Sequence, residues 1–349
     1  MDRALRAASM ATPVGTLLAD VFFRVAKITV FLAIGVGLAN VAIQFGAVEY
    51  VTGLAKPLTR PANLPPEVGT AILATTASPT AGYGMLAEYR EAGLLDDRAT
   101  LVAVTMNTFF GFAQHIFTFY APVLIPILGL QVGLLYVGAR ALIALAITLT
   151  GVAAGALLLS DANVDTTVET DAGTGTEIPD GGTDDGSEGP TGTRGKLRAA
   201  GVETVAKIRE ILPRLAAVYL LVVVLVDRYD QIEQWLSLPD IAGAVEPMTS
   251  ALGLPGAAVP TIAVFAIDTT NGAIFIAPFV ENGTFTPRQA VATMLVGGIV
   301  SFAVSTFKRS IPFQYGIWGA EFGSKVILVN TALKVVFIGV ALALLLSPL

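Results

Sequence analysis

Cysteine is absent from all 349 residues, and histidine occurs once, at His115. Without thiols the chain holds no disulfide, no haem-thiolate ligand and no iron–sulfur cluster. A lone histidine cannot build a His-rich metal site. Charge is scarce as well: Asp, Glu, Lys and Arg make up 14% of the residues, against roughly 25% in soluble domains. No phosphate-cradling glycine loop, HExxH helix or nucleophile elbow occurs, so neither an enzyme nor a resident cofactor is expected. The formal net charge is −6, and no nucleic-acid partner is expected. The first apolar run starts late and lacks a convincing cleavage site, so no cleavable signal peptide is expected.

What the chain has instead is apolar length. Hydrophobic residues make up 54%, and the runs 28–47, 100–128, 132–159 and 326–346 are each long enough to cross a hydrocarbon core of about 30 Å. The expectation is an all-α, polytopic protein of the cell membrane, with the lipid bilayer as its first partner. Residues 161–188 break the pattern, with nine acidic residues, no Lys or Arg, and much Gly and Thr. Such a stretch buries too little apolar surface to offset its ordering entropy. It reads as an acidic disordered linker, 161–192, between a first membrane half, 1–160, and a second, 193–349.

The two halves are related. Residues 64–153 align without a gap on 254–343, 190 positions later. The pairs include Thr80/Thr270, Gly82/Gly272, Glu91/Glu281, Gly93/Gly283, Arg98/Arg288, Phe112/Phe302, Pro122/Pro312, Gly129/Gly319 and Gly133/Gly323. Helix punctuators and loop charges recurring in register mark a duplicated unit. Interrupted apolar segments at matching places in two halves point to a transporter-type site.

Each half reads as a simple span, a polar segment, an interrupted segment, a long broken span and a final span. The interrupted segments, 68–89 and 257–280, are apolar at their ends and polar at their centres: Thr75, Thr76, Ser78, Pro79, Thr80 and Gly82 in one, Asp268, Thr269, Thr270, Asn271 and Gly272 in the other. Non-helical backbone at membrane depth requires surrounding protein or a water-filled cavity. Both segments are read as re-entrant helical hairpins with tips near the midplane; ordinary spans with a proline kink are the competing reading. The prolines Pro122 and Pro312 are expected to break the long spans. Three spans and one hairpin per half make the repeats inverted, whereas the basic residues Arg194, Lys196 and Arg198 ahead of the second half favour parallel repeats under the positive-inside rule.

Candidate binding residues follow from cost. Lys308 and Arg309 fall inside a span, where each charge costs about 2.5–3.5 kcal/mol. They are expected either to hold an anionic group of a solute or to be neutralised by Asp268, with Thr270 and Asn271 completing a polar cluster. Asn107 and Gln114 in one long span, and Ser301 and Ser305 in the other, are further polar candidates. Ser78, Thr80 and Asn107 carry oxygens suited to sodium, although Ser and Thr in helices also bond back to the preceding turn. His115 reads as a helix-packing or proton-relay residue.

The order of elements, with the stretches TTASPTAGYG and FAIDTTNGAIF, resembles the nucleoside-recognition or Gate domain family. That family includes the core of concentrative nucleoside transporters, the membrane part of the ferrous iron transport protein B, and spore maturation proteins. The resemblance implies that hairpin tips and broken spans bind solute and cation. It places Thr76, Ser78 and Thr80, then Asp268, Thr270 and Asn271, then Asn107, Ser301 and Ser305 at the site. It further implies a sodium or proton coupling ion, a homo-oligomer and a nucleoside-like solute. The first tip, TTASPT, departs from the family by lacking acidic or amide residues. The resulting expectation is a secondary transporter of a small polar solute, nucleoside-like or an organic anion, with a non-transporting membrane scaffold or regulator of a partner protein as the alternative.

Overall fold

The computed structural model describes residues 14–44, 56–165, 193–227, 252–306 and 310–347. The polar segment 228–250, the linker beyond Asp165, and Lys308 and Arg309 lie outside the described residues. Among those described there is no strand, only an isolated bridge between Leu95 and Val164. The fold is therefore all-α. Two continuous helical stretches, Asp97–Leu158 and Ile311–Leu346, are long and apolar enough to cross a membrane.

The helices run in the order α1 (Val14–Gln44), α2 (Pro66–Ala77), α3 (Pro79–Glu91), α4 (Asp97–Met106), α5 (Thr108–His115) and α6 (Ile125–Leu158), followed by α7 (Thr193–Asp227), α8 (Ala258–Ile267), α9 (Thr269–Glu281), α10 (Pro287–Ser305) and α11 (Ile311–Leu346). A π-helical stretch, Ile116–Leu124, joins α5 to α6. The long simple helices α1 and α7 pack along each other.

Helix α2 stops at Ala77 because Pro79 disfavours the helical conformation at Ser78. Ser78 is extended, at φ −145° and ψ 113°, and its Oγ accepts the N–H of Ala81 at 3.4 Å to cap α3. Proline at the first position of α3 lacks a donor that would be unpaired there in any case. The second half achieves the same break without proline. Asp268 is extended, at φ −151° and ψ 126°, and its Oδ1 accepts the Asn271 N–H at 2.7 Å. At both places the chain doubles back. A Cβ on Gly82 would sit 2.6 Å from the Ala71 carbonyl oxygen, whereas those residues would be about 16 Å apart along a straight helix. On the other side, a Cβ on Gly272 would meet Phe265 Cα at 2.5 Å.

The backbone specials repeat at the same separation as the sequence pairs. Gly93 and Gly283 end the second arms with φ +86° and +81°, and Gly129 and Gly319 carry φ +78° and +72°. Pro122 does not break the first long span as expected. Pro122 lies inside the π-helical stretch, where the wider turn relieves the clash between the ring and the carbonyl one turn earlier. Pro312 is the second residue of α11, where no donor is needed. The kinks fall instead at Gly129 (ψ 163°) and Gly319 (ψ 166°), in a region open essentially to glycine alone.

The turn charges pair differently from the matched Glu91/Arg98 and Glu281/Arg288. Arg90 binds Asp97 at 2.7 Å, Lys325 of α11 reaches the same carboxylate at 3.0 Å, and Glu281 bonds Arg24 and the Tyr219 hydroxyl across α1 and α7. Asp161–Asn163, assigned from sequence to the linker, form a short turn that folds onto the Leu94–Asp96 loop. There Asn163 Nδ2 donates to Asp96 Oδ2 at 2.7 Å.

The cores are interleaved. One contains the first hairpin, with Ile72, Leu86 and Tyr89, together with Trp318, Phe322 and Val326 of α11. The other contains the second hairpin, with Phe265, Ile274 and Ile276, together with Tyr120, Val132 and Tyr136 around α6. Each hairpin is thus packed by the kinked helix of the opposite half.

Candidate functional site

Between the two cores lies a cavity of about 410 Å³. It is walled by Thr75, Pro79 and Tyr83 of the first hairpin, Phe265 and Thr269 of the second, Asn107, Tyr120, and residues of α5, α6, α10 and α11. The volume lies within the range of small-molecule sites. Both helix breaks open toward it, since Pro79 and Thr269, the first residues of α3 and α9, line it.

Its polar fittings come from three places. Asn107, at the joint between α4 and α5, donates from Nδ2 to Thr75 Oγ1 at 2.7 Å, and Thr75 in turn donates to the Ala71 carbonyl at 3.1 Å. Asn107 Oδ1 is buried and finds no hydrogen-bond partner among the described residues. The joint itself is held by Thr148, whose hydroxyl donates to the Met106 carbonyl at 2.9 Å and accepts the Phe109 N–H at 3.0 Å. Arg140 of α6 donates to the Tyr120 hydroxyl at 3.3 Å. Lys334 of α11 places its ammonium 4.3 Å from the centroid of Phe302, a cation–π distance.

A run of rings crosses from one half to the other. Phe112 and Tyr120 have centroids 5.1 Å apart, Tyr120 and Tyr136 6.1 Å, and Tyr136 and Phe265 6.3 Å. Under the 190-residue alignment Arg140 matches Asn330 and Ala144 matches Lys334, and all four line the cavity. Equivalent faces of α6 and α11, each presenting positions one turn apart, therefore supply one charge apiece.

The sequence candidates divide. Asn107 and Ser301 line the cavity. Ser78 and Asp268 act as the caps described above. Thr76 is buried and bonds back to the Ile72 carbonyl at 3.5 Å, and Thr80 is exposed. Thr270 is buried, and Asn271 keeps a buried Oδ1 without a hydrogen-bond partner among the described residues. Gln114 is half-buried on α5, and Ser305 is the last residue of α10. Of the three residues considered for sodium, Ser78 caps a helix, Thr80 is exposed, and Asn107 donates from Nδ2 to Thr75. His115 lines the cavity, with Nδ1 3.0 Å from the Gly111 carbonyl oxygen.

Sequence reasoning missed Arg140 and Lys334. The signal was present, because each is a lone cation inside an otherwise apolar run, which is itself a functional flag.

No family model matches the chain, and no solved structure matches it. It is similar to two uncharacterized proteins of Methanocaldococcus jannaschii. One is 24% identical over 310 residues, covering 88% of this chain and 88% of the relative. The other is 22% identical over 322 residues, covering 90% of this chain and 95% of the relative.

Proposed function

We propose that the chain is a multi-pass membrane protein that carries a small polar solute through the cavity between its halves, as a cation-coupled secondary transporter. In this reading α2–α3 and α8–α9 are re-entrant hairpins, the halves are inverted repeats, and the solute binds where the hairpin breaks face each other. The observation that carries it is the cavity itself: polar and charged, walled by both halves, and bordered by the first residues of both second hairpin arms. Non-helical backbone beside a cavity inside apolar helices is the arrangement expected of such carriers. Interleaving supports alternating access, because movement of one kinked helix carries the opposite hairpin with it. A scaffold that only holds a partner protein has no need for half-buried cations around an internal space. Proteoliposomes containing the purified protein, given labelled nucleosides or small organic acids under an inward sodium or proton gradient, test the reading. Uptake faster than by protein-free vesicles is expected; equal rates across the panel would overturn transport in favour of the scaffold.

A further inference from the structure

The cavity's charge narrows the solute's chemistry, on the reading that this cavity is the binding site. Two cations, Arg140 and Lys334, line it, and no Asp or Glu does so among the described residues. Arg140 lies 11 residues beyond the Gly129 kink and Lys334 lies 15 beyond the Gly319 kink, or about 16 and 22 Å along their helices. Both therefore fall in the middle part of a span, where a charge is expected to find a partner of opposite sign.

Their contacts with uncharged rings do not neutralise them. Arg140 meets the phenol of Tyr120, and Lys334 lies over the face of Phe302. The two cations line the same cavity, so their charges add there. Helix α3 adds to the positive potential, for its N-terminus borders the cavity and its cap, Ser78, is neutral. Asp268 borders the opposite break, but its Oδ1 is committed to the Asn271 N–H. An anion entering the cavity supplies the missing opposite charge, and a guanidinium beside it offers a carboxylate two parallel donors. The remaining wall is aromatic: Tyr83, Phe112, Tyr136 and Phe265 present flat apolar surfaces. These favour a planar body stacked or edge-on at ring-to-ring distances.

We propose that the ligand is a small organic anion with a flat apolar body, its carboxylate or equivalent head held between Arg140 and Lys334 and its body against the Tyr136–Phe265 wall. Benzoate is the simplest probe. Thermal unfolding of the detergent-purified full chain is measured with benzoate, benzyl alcohol, benzylamine, acetate and uridine, for the natural protein and for Arg140→Gln, Lys334→Gln and Lys334→Arg. Benzoate is expected to raise the unfolding temperature in a dose-dependent way, and the neutral and cationic ring compounds are not. Acetate, lacking the ring, is expected to bind at least tenfold more weakly.

Each glutamine variant is expected to weaken benzoate at least tenfold, and Lys334→Arg to keep most of the affinity. Unliganded unfolding temperatures show whether each variant is folded. Benzyl alcohol, benzylamine or uridine binding as well as benzoate would overturn the proposal. So would unchanged benzoate affinity in both folded glutamine variants, or no response to benzoate at any soluble concentration. Transport is judged separately. Benzoate binding with the expected variant pattern but no vesicle uptake would sink the transporter reading alone. Uridine uptake indifferent to Arg140→Gln and Lys334→Gln would sink the anion proposal alone.

Discussion

Replacing Lys334 with methionine should make the unliganded protein more stable while removing its anion affinity. The ammonium occupies a cavity shared with Arg140, with no carboxylate lining it among the described residues. Holding a charge at such a depth costs about 2.5–3.5 kcal/mol. The contact with Phe302 at 4.3 Å returns only about 0.5–2 kcal/mol. Methionine keeps most of the volume and still packs on the ring. The expected balance is a gain of about 1–2 kcal/mol, since the half-buried ammonium bears only part of the full burial cost. Equilibrium unfolding in detergent or bicelles, at fixed protein-to-lipid ratio and without added anions, measures it. A loss of more than about 1 kcal/mol would refute the reasoning. It would mean that Lys334 is already paired with a negative group, because breaking a buried ion pair is strongly destabilising.

Other outcomes follow from single contacts. Gly319→Ala forces a side chain into a conformation at φ +72° and ψ 166° and should cost about 1–3 kcal/mol, read as a fall in unfolding temperature; Gly129→Ala should cost a similar amount. Gly82→Val should separate the arms of the first hairpin, since even a Cβ there would meet the Ala71 carbonyl oxygen at 2.6 Å; hydrogen exchange across 66–91 should rise relative to the second hairpin. Thr148→Val leaves the Met106 carbonyl and the Phe109 N–H without their bridging hydroxyl; a loss of about 1–3 kcal/mol is expected, and an unchanged unfolding midpoint would contradict the bridge. Glu281→Gln, by contrast, disrupts a half-exposed ion pair and should cost no more than about 1 kcal/mol, with a salt-titrated unfolding curve as the check.

Much of the local structure was legible because it depends on residues close in sequence. Ser-Pro at 78–79 and Asp268 followed by Thr marked the two helix breaks, since capping groups and pre-proline backbone act within three or four residues. The recurrence of Gly93/Gly283 and Gly129/Gly319 marked positions with positive φ. Pro122 misled for an equally local reason. A proline's effect depends on whether its helix widens into a π turn or has only just begun, and the sequence pattern alone does not state which.

The site was legible only in part. Asn107 and Ser301 were found through polarity at membrane depth, whereas Thr80 was drawn in by its neighbours and faces outward. Sequence by itself determined the apolar all-α class and the places where its helices break and turn, because composition, capping and glycine conformation are properties of short stretches. Tertiary structure alone decided that each hairpin packs on the kinked helix of the opposite half, and that Arg140 and Lys334, far apart in the chain, share one cavity. Contacts of that kind depend on how side chains nearly 200 residues apart fill a common volume, and no local periodicity encodes them.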